Sequence, residues 1–561
     1  MMALRRLRFP DRSRFLWIDQ LCIDQENNEE KGPQIQLMSY VYQTAQQVII
    51  WLGEDRDFYL SGDAHYIKGH HSQLLPETIT SLSTSESQDE YRSQTAALVD
   101  VRLGYLGDTI EQQRWTMIID ILRRPWFSRA WVFQEASLAT HLKIQFGELE
   151  ADFQKVKQLC EVVTQIEKDL GMGRDHTLRA TTPGFEMMQL IDRCRKERLQ
   201  DVVNRTDSQS SYFLNVLLQV LRRVRCFDRR DLIFAFLAFQ NGEGIRATAE
   251  SYSQPIEEIW TNAAESIIKS SKSLDIFAAL SGETSRHVDL PSWVPYWADP
   301  FPYSRPIATS RTYFKASRNL PHIWHAHSDP WKLQVRGKII DKIVSGSDQY
   351  AGPSFARGLS QGQPMEIFLM FDLLIEHYEK VYYADEAIAA AHGVHAATKL
   401  QIPPRDMMRI VLADGALGTK QPLRETIDDM LDIYNQRDAM ISLRCAKTRL
   451  ELSSSEFRSL QIYEQLEDLV LVAEHKIHFA TQHFQHGLAP NCIKVGDYIA
   501  IIHGSRTPCV LRLVNEDKKE YKIVGQCYLD GWMYGKPRAT VPRAHPHGNW
   551  WEEEQDEFVL V

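Results

Sequence analysis

The chain has 561 residues, of which 43% are hydrophobic and 25% are charged, and its formal net charge is −10. A chain of this length is too long for one hydrophobic core, so the sequence predicts about three or four domains. The acidic balance argues against nucleic acid as a partner, because nucleic-acid-binding proteins usually carry a basic excess. The longest apolar runs, such as 232–239, are far shorter than the roughly 20 residues of a membrane span.

Cysteine usage points to a reducing compartment. The eight cysteines are scattered singly and none forms a C-x-x-C pair, which argues against a zinc ribbon or a thioredoxin-type motif. With no secretory signal pattern either, we expect a cytoplasmic protein. His545 and His547 are too few to predict a metal site without a third ligand.

In chain order, the first informative stretch covers residues 15–53. The apolar run 15–18 predicts a strand buried on both faces. After Pro33, apolar residues at helical spacing predict a helix with one buried face, formed by Ile35, Met38, Tyr42 and Ala45. Residues 48–52 predict a second buried strand. Together these elements predict a parallel strand–helix–strand crossover.

Three polar side chains follow the first predicted strand, namely Asp19, Asp24 and Gln25. Ligands bind beyond the carboxyl ends of the strands in open parallel sheets, so these residues are candidate binding residues. The alternative is that Asp19 and Asp24 only cap the following helix and brace its loop.

Residues 54–110 are polar and Ser/Thr-rich in part, which predicts an inserted loop. A helix is expected at 112–122, followed by a turn at 125–127, a helix at 129–139 and a third strand at 142–146. These elements complete a small α/β layer.

Two ordered blocks in this part of the chain form a recognisable motif pattern. The first block comprises Trp17-Ile18-Asp19, Leu21-Cys22-Ile23-Asp24-Gln25, Met38, Tyr42, Ala45 and Trp51-Leu52-Gly53. The second runs from Arg124 to Glu135. Both blocks resemble the fungal heterokaryon-incompatibility (HET) domain, and further blocks similar to that family lie at 226–237, at 290–297 and in the last 70 or so residues. HET domains also have an earlier strand with an S-Y-x-W-G-like motif, which is missing here. A shortened gene model, an alternative start or a degraded family member would each explain that.

The resemblance implies a candidate catalytic residue, Glu135. HET domains are remotely similar to Toll/interleukin-1-receptor (TIR) domains, in which a Trp-Cys-x-x-Glu helix carries a glutamate that cleaves NAD. Trp131 and Glu135 match that motif, whereas Val132 replaces its cysteine. Arg129 and Trp131 are then candidate binding residues, with NAD as a possible substrate and no cofactor required. The alternative is a structural salt bridge from Glu135 to Arg129 or Arg124.

The rest of the chain is expected to be helical with a β-rich end. Helices are predicted within 153–200, at 212–225 and at 256–269, and 290–297 predicts a buried Trp/Pro-rich strap. A strand is expected at 333–343, helices over 366–485, and short strands at 496–502, 509–513 and 521–528. Gly415 to Lys420 lacks the spacing of a phosphate-binding loop, and the acidic residues 552–557 suggest a solvated tail.

These observations predict an α/β plus α protein. It would have a truncated, TIR-like or flavodoxin-like parallel α/β domain, a large helical region and a small C-terminal β meander or barrel. The expected domains are a HET domain at 1–150 with the insertion at 54–110, a helical region with the strap at 151–345, a second helical region at 346–485, and a β domain with its tail at 486–561.

The resemblance implies a role in non-self recognition and regulated cell death. An interaction module that self-associates and binds protein partners is favoured, because no complete catalytic constellation is visible in the sequence. The alternatives are an NAD(P)-hydrolysing enzyme that uses Glu135 and binds a small nucleotide, and an inactive truncated family member.

Overall fold

The computed structural model describes residues 2–54, 110–169, 182–203, 212–240, 245–248, 250–280, 289–298, 314–323, 327–346, 476–483, 485–535 and 553–561, with isolated positions between some of these ranges. The chain divides into two compact units. The N-terminal unit comprises Met1–Asp207, Gln219–Gln240 and Ile245–Pro255, and the C-terminal unit comprises Ser208–Leu218, Asn241–Gly244 and Ile256–Val561. The four domains expected from the sequence stay a prediction.

The first elements of the N-terminal unit are three helices and a strand: α1 (Met2–Leu7), α2 (Asp19–Cys22), α3 (Asn28–Thr44) and β1 (Val48–Trp51). Helix α3 begins earlier than Pro33 because Asn27 caps it. The Asn27 side chain accepts hydrogen bonds from the backbone N–H groups of Glu29 and Glu30, which satisfies two amides that have no partner within the helix. Of the predicted face, Ile35 and Met38 are buried, whereas Tyr42 and Ala45 are only half-buried.

The rest of the N-terminal α/β layer also follows the predicted order. It contains α4 (Ile110–Arg123), a 3₁₀ turn at Pro125–Ser128, α5 (Ala130–Leu138), β2 (Leu142–Phe146) and β3 (Leu149–Asp152). Strand β3 is the element that the sequence reading missed. It pairs antiparallel with β2 through a tight turn at Gly147, whose φ is +56°. Glycine adopts this left-handed conformation at little cost.

The predicted strand at 15–18 is wrong. Residues 13–18 have no strand assignment, and Phe15 is 99% exposed. The parallel partner of β1 is β2, with Val48 opposite Leu142 and Trp51 opposite Gln145. An apolar run becomes a buried strand only when a neighbouring strand pairs with its backbone, and none of the described residues does so here. The predicted strand–helix–strand crossover therefore does not form between 15–18 and β1.

The helical region after β3 agrees with the sequence expectation. Its helices are α6 (Phe153–Asp169), α7 (Pro183–Val203), α8 (Tyr212–Val220), α9 (Asp231–Phe234) and α10 (Ile256–Ser271). The strap at 290–297 is buried as predicted, since Trp293 and Trp297 are both fully covered. The Trp293 Nε1–H donates to the carbonyl of Trp331 at 3.1 Å.

A curled sheet forms the core of the C-terminal unit. Its strands are β4 (Leu333–Gly346), β5 (Lys476–Thr481), β6 (His486–Pro490), β7 (Tyr498–Ile502), β8 (Cys509–Asn515), β9 (Glu520–Gln526), β10 (Tyr528–Leu529) and β11 (Asp556–Leu560). The spatial order is β10-β6-β5-β4-β11-β9-β8-β7, and β7 also pairs with β4. This pairing closes a barrel of β4, β11, β9, β8 and β7, which leaves those strands with no open edge among themselves.

The structure corrects two further expectations in this unit. Strand β5 occupies part of the range predicted to be helical, and all six of its residues are buried, so it lacks the alternation that marks a half-exposed strand. The acidic tail is partly a strand, because β11 pairs with β4 from Asp556 to Leu560. Most of 346–475, the insertion at 54–110, the 415–420 segment and His545 and His547 lie outside the described residues.

Barrel closure leaves no room for a side chain at Gly337 of β4. A Cβ atom there would lie 2.2 Å from the carbonyl oxygen of Ile501 on β7. We expect Gly337→Ala to destabilise the chain by about 3 kcal/mol, because backbone must move to relieve the overlap. Thermal unfolding monitored by near-ultraviolet circular dichroism checks this.

Gly346→Ala on the same strand is the matched control. Its new Cβ would meet its nearest atom, Ile477 Cδ1, at 3.6 Å, which is ordinary contact. Equal loss of stability in the two variants would contradict the close-approach explanation.

Candidate functional site

Helix α5 leaves one narrow face incompletely covered. Seven of its nine residues are buried, and only Trp131 and Glu135 are partly exposed. These two are four positions apart, so they lie on the same face of the helix. The opposite side packs Phe133 against Phe236 and Phe239, with ring centroids 6.0 Å and 5.4 Å apart. The packing therefore sets the direction in which Glu135 points.

Both ends of α5 are held by hydrogen bonds. At its start, Ala130 N–H donates to the Arg225 carbonyl at 3.1 Å, and Arg225 N–H donates to Ser128. At its end, Arg195 Nη1 donates to the Ala136 carbonyl at 2.9 Å and Arg198 Nη1 to the Ser137 carbonyl at 3.0 Å. Arginine donors satisfy the carbonyls that have no partner at a helix C-terminus and oppose the negative end of its dipole. This fixation gives α5 a defined position in the unit.

Glu135 and Arg129 face a large open cleft whose volume is about 1630 Å³. Asp19, Tyr42 and Trp17 line the same cleft. The Trp17 and Tyr42 rings meet edge to face, with centroids 5.6 Å apart. The structure thus brings together three of the residues singled out in the sequence, which are Asp19, Arg129 and Glu135.

The cleft perturbs the ionisation of Glu135. Loss of hydration raises the pKa of its carboxyl group from 4.5 to about 7; the nearby positive charge of Arg129 opposes this rise and the negative charge of Asp19 adds to it. Burial also raises the pKa of Tyr42, with contributions from the charges of Glu135 and Asp19. A carboxyl group that titrates near neutral pH in a cleft is a candidate acid or base.

The alternative role for Glu135, a structural salt bridge, gains no support from the described contacts. Arg124 pairs instead with Asp120 at 2.7 Å, and its guanidinium lies over the Phe146 ring. No ion pair or hydrogen bond connects Glu135 with Arg129 or any other residue that the structure describes. Arg129 acts on Glu135 only through its charge.

Three other candidate residues lie elsewhere. Asp24 accepts a hydrogen bond from Glu26 N–H at 3.1 Å, and Gln25 Nε2 donates to the Asp19 carbonyl at 3.0 Å. Neither lines the cleft, so both brace the α2–α3 loop. Trp131 donates its indole N–H to the buried Asp231 carboxylate, which also accepts from the Tyr252 hydroxyl at 2.6 Å. Trp131 therefore connects α5 with α9 and is absent from the cleft lining.

Sequence reasoning missed several cleft residues. Trp17, Tyr42 and Trp126 line it, although their sequence patterns indicate only packing or motif residues. The sequence contains one signal for Trp17 as a cleft residue, which is its position two residues before the candidate acid Asp19. The capping residues Arg195 and Arg198 had no such signal, because they are about 60 residues from their partners in sequence.

Two negative findings apply to the described part of the chain. There, no group of three or more His, Cys, Asp or Glu side chains is placed to hold a metal ion. Among the same residues, no helix is both long enough and apolar enough to cross a membrane.

Comparison with known proteins finds two family matches within the chain. The model of the family described as Heterokaryon incompatibility protein (HET) matches residues 1–135, and that of the Het-6 beta-barrel domain matches residues 416–545. Residues 1–135 are a HET domain. The HET match contains Asp19, Tyr42, Arg129 and Glu135, so those cleft residues all belong to the HET domain.

A relative spans nearly the whole HET-domain protein. The chain is 21% identical to Heterokaryon incompatibility protein 6, OR allele, of Neurospora crassa, over 94% of this chain and 82% of that protein. No solved structure matches the chain.

The raised pKa of Glu135 makes the stability of the HET domain depend on pH. The folded state holds this proton up to about pH 7, whereas the unfolded state releases it near 4.5, so stability falls as pH rises through this window. We expect Glu135→Gln to gain about 2 kcal/mol of stability relative to wild type between pH 5 and pH 8, since each pKa unit is worth about 1.4 kcal/mol. Urea unfolding at the two pH values measures this.

The exposed carboxylate Glu26 in the α2–α3 loop provides the control, as Glu26→Gln. A pH-independent difference between wild type and Glu135→Gln would contradict a raised pKa at this position.

Proposed function

We propose that this HET-domain protein acts in heterokaryon incompatibility, where it contributes to non-self recognition and regulated cell death in the cytoplasm. The proposal is supported by the order of the two family matches along the chain. It is also supported by the relative named Heterokaryon incompatibility protein 6, which aligns with 94% of this chain.

For the molecular activity, we propose hydrolysis of the N-glycosidic bond of NAD or a related nucleotide at Glu135. The observation that carries this proposal is the position of the Glu135 carboxyl group, which faces the cleft without an ion-pair or hydrogen-bond partner among described residues and titrates near pH 7. The sequence alone favours an interaction module, because it shows no complete catalytic constellation. The grouping of polar side chains at the cleft supports a catalytic function instead. These side chains are Asp19, Tyr42, Arg129 and Glu135.

The proposed chemistry needs one water molecule. Water adds to the ribose C1′ as the bond from C1′ to the pyridinium nitrogen breaks, and the bonding electron pair leaves with neutral nicotinamide. The products are nicotinamide, ADP-ribose and a proton, which the Glu135 carboxylate accepts and passes to solvent. In its ionised form, Glu135 also stabilises the oxocarbenium-like positive charge that develops on the ribose. The Trp17 and Trp126 rings supply apolar surface for stacking the bases.

We further propose that the HET domain has a TIR-like or flavodoxin-like arrangement. The support is the parallel pairing of β1 with β2, with α5 between them in sequence. Among described strands, the β1-β2-β3 sheet is only three strands wide.

The first test is NAD consumption by the purified protein at high concentration. We expect wild type to release nicotinamide and Glu135→Gln to lose at least about 100-fold in rate, the typical contribution of a positioned acid–base group. Glu26→Gln is the control and retains wild-type rate. No turnover by folded wild type, or equal turnover by Glu135→Gln, would contradict hydrolysis at this site.

A second candidate function, assembly through a helix face, is supported by the exposed side of α3, of which Tyr40 also borders the cleft. Leu37 and Tyr40 on α3 are 52% and 66% exposed, and their spacing of three places them on one face of the helix. Exposed large apolar residues that lie together mark interaction surfaces. The partner we propose is a second copy of this chain.

Assembly is tested by the double variant Leu37→Ser with Tyr40→Ser. We expect wild type to form dimers or larger species in sedimentation velocity at micromolar concentration, and the double variant to remain monomeric with unchanged circular dichroism. Val514→Ser, which changes an exposed residue of the barrel strand β8, is the control. Monomeric wild type over the same range would contradict this candidate.

A further inference from the structure

The cleft has two walls, and each has backbone groups without hydrogen-bond partners among the described residues. One wall contains Phe15, Leu16, Trp17 and Ile18, and the other is β1 with Val48, Ile49 and Trp51. The apolar side chains of both walls therefore border the same space.

No described strand pairs with the side of β1 opposite β2. Val48 N–H donates to the His141 carbonyl and Leu52 N–H to the Gln145 carbonyl, so even-numbered residues of β1 face β2. In a parallel ladder alternate residues point their N–H and C=O groups in opposite directions. Ile49 and Trp51 therefore turn their backbone groups toward the cleft, and β1 is the edge strand of the described sheet.

The wall formed by residues 15–18 also has backbone groups without described hydrogen-bond partners. The backbone groups of Phe15, Leu16 and Trp17 make no hydrogen bond to any described residue, while the Ile18 carbonyl turns away to accept from Leu21 and Cys22. At both ends the segment is held in place by its side chains: Arg14 donates to the Leu7 carbonyl at 3.0 Å, and Trp17 packs on Tyr42. Phe15, by contrast, is 99% exposed.

We propose that the space between these walls is a strand-binding slot, which takes an extended segment of a partner polypeptide as an additional β-strand. A guest strand there would hydrogen-bond to Ile49 and Trp51 on one side and to the 15–17 backbone on the other. Its apolar side chains would cover those of both walls. This is the recognition mode in which a peptide adds to an open sheet edge.

The cleft volume of about 1630 Å³ exceeds the roughly 300–1,000 Å³ of ordinary small-molecule pockets, which suits a peptide-sized guest. The proposal is independent of the hydrolysis proposed above, because it rests on backbone edges and holds whether or not Glu135 is catalytic.

Two positively charged side chains of the cleft indicate the charge that the bound peptide carries. Arg12 and Arg14 line the cleft and stack on the Phe9 ring, with their guanidinium carbons 4.4 Å and 4.6 Å from its centroid. Neither forms an ion pair with a described residue, in a chain whose net charge is −10. An acidic residue at the end of the guest strand that reaches Arg12 and Arg14 complements this local positive charge. The guest is therefore an apolar, extended peptide with an acidic end.

The test uses a synthetic peptide and hydrogen–deuterium exchange of the full chain. The probe is a capped hexapeptide with one aspartate followed by alternating valine and threonine. We expect the free protein to exchange the Ile49 and Trp51 amides quickly, while those of Val48 and Ile50 are protected by β2. Saturating probe should slow exchange at Ile49 and Trp51 by at least tenfold.

Two controls separate strand addition from nonspecific apolar binding. A peptide with proline in place of both threonines lacks the N–H groups that pair with a strand, and we expect it not to bind. The double variant Arg12→Gln with Arg14→Gln should weaken probe binding by about fivefold, in keeping with partly exposed ion pairs worth up to about 1 kcal/mol. Arg8→Gln, an exposed arginine outside the cleft lining, should bind as wild type does.

Other occupants give different results. Protection of Ile49 and Trp51 in a monomeric protein without peptide would show that the chain fills its own slot, and the same protection in a dimer would assign the slot to a second copy. Either result overturns the proposal, as does equal binding of the proline peptide or no binding of the probe. Because none of these readouts involves NAD, they are separable from failure of the proposed hydrolysis.

Discussion

The geometry of the cleft depends on the packing of α5. This helix buries seven of its nine residues, and a short helix of this kind takes its stability from tertiary packing rather than from its own propensity. The buried side meets Phe236 and Phe239, the start is held by the backbone of Arg225, and the end is capped by two arginines of α7. With three such attachments, the one remaining face is fixed, and that face carries Glu135.

The electrostatics of the cleft follow from this placement. Glu135 is oriented into a poorly hydrated position beside a second carboxylate, Asp19, and near one cation, Arg129. An ion pair within hydrogen-bonding distance would lower the pKa of Glu135, whereas a cation that acts only through space leaves desolvation as the dominant effect. A carboxyl group that is half ionised near pH 7 results from that balance. A closer Arg129 would make the same residue an ordinary structural acid.

In the C-terminal unit the main constraint is that the backbone groups at strand edges need hydrogen-bond partners. Strand β4 is 14 residues long and shifts register between Ile339 and Asp341. Bulges of this kind bend a strand and increase its twist, and this lets β4 pair with β5, β7 and β11. The barrel closes because one strand can serve several neighbours, and the close approach at Gly337 is a local consequence. In the N-terminal unit no described strand pairs with the outer edge of β1. The C-terminal barrel strands thus have paired edges, whereas β1 has one edge without a described partner.

Local patterns in the sequence determined much of this structure. The α3 face of Ile35 and Met38, the strands β1, β2 and β7 to β9 and the α5 helix follow from local apolar patterns, which report burial. The buried strap follows from its tryptophans and prolines. The HET family followed from ordered motifs. The tertiary structure alone decided which segments pair. The run 15–18 has the composition of a buried strand yet stays unpaired, β4 joins strands more than 130 residues later, and Asp19, Tyr42, Arg129 and Glu135 converge from three separate segments. The local pattern of apolar residues shows which segments prefer to be buried. It does not show which strand or helix will cover them, because those partners are distant in sequence.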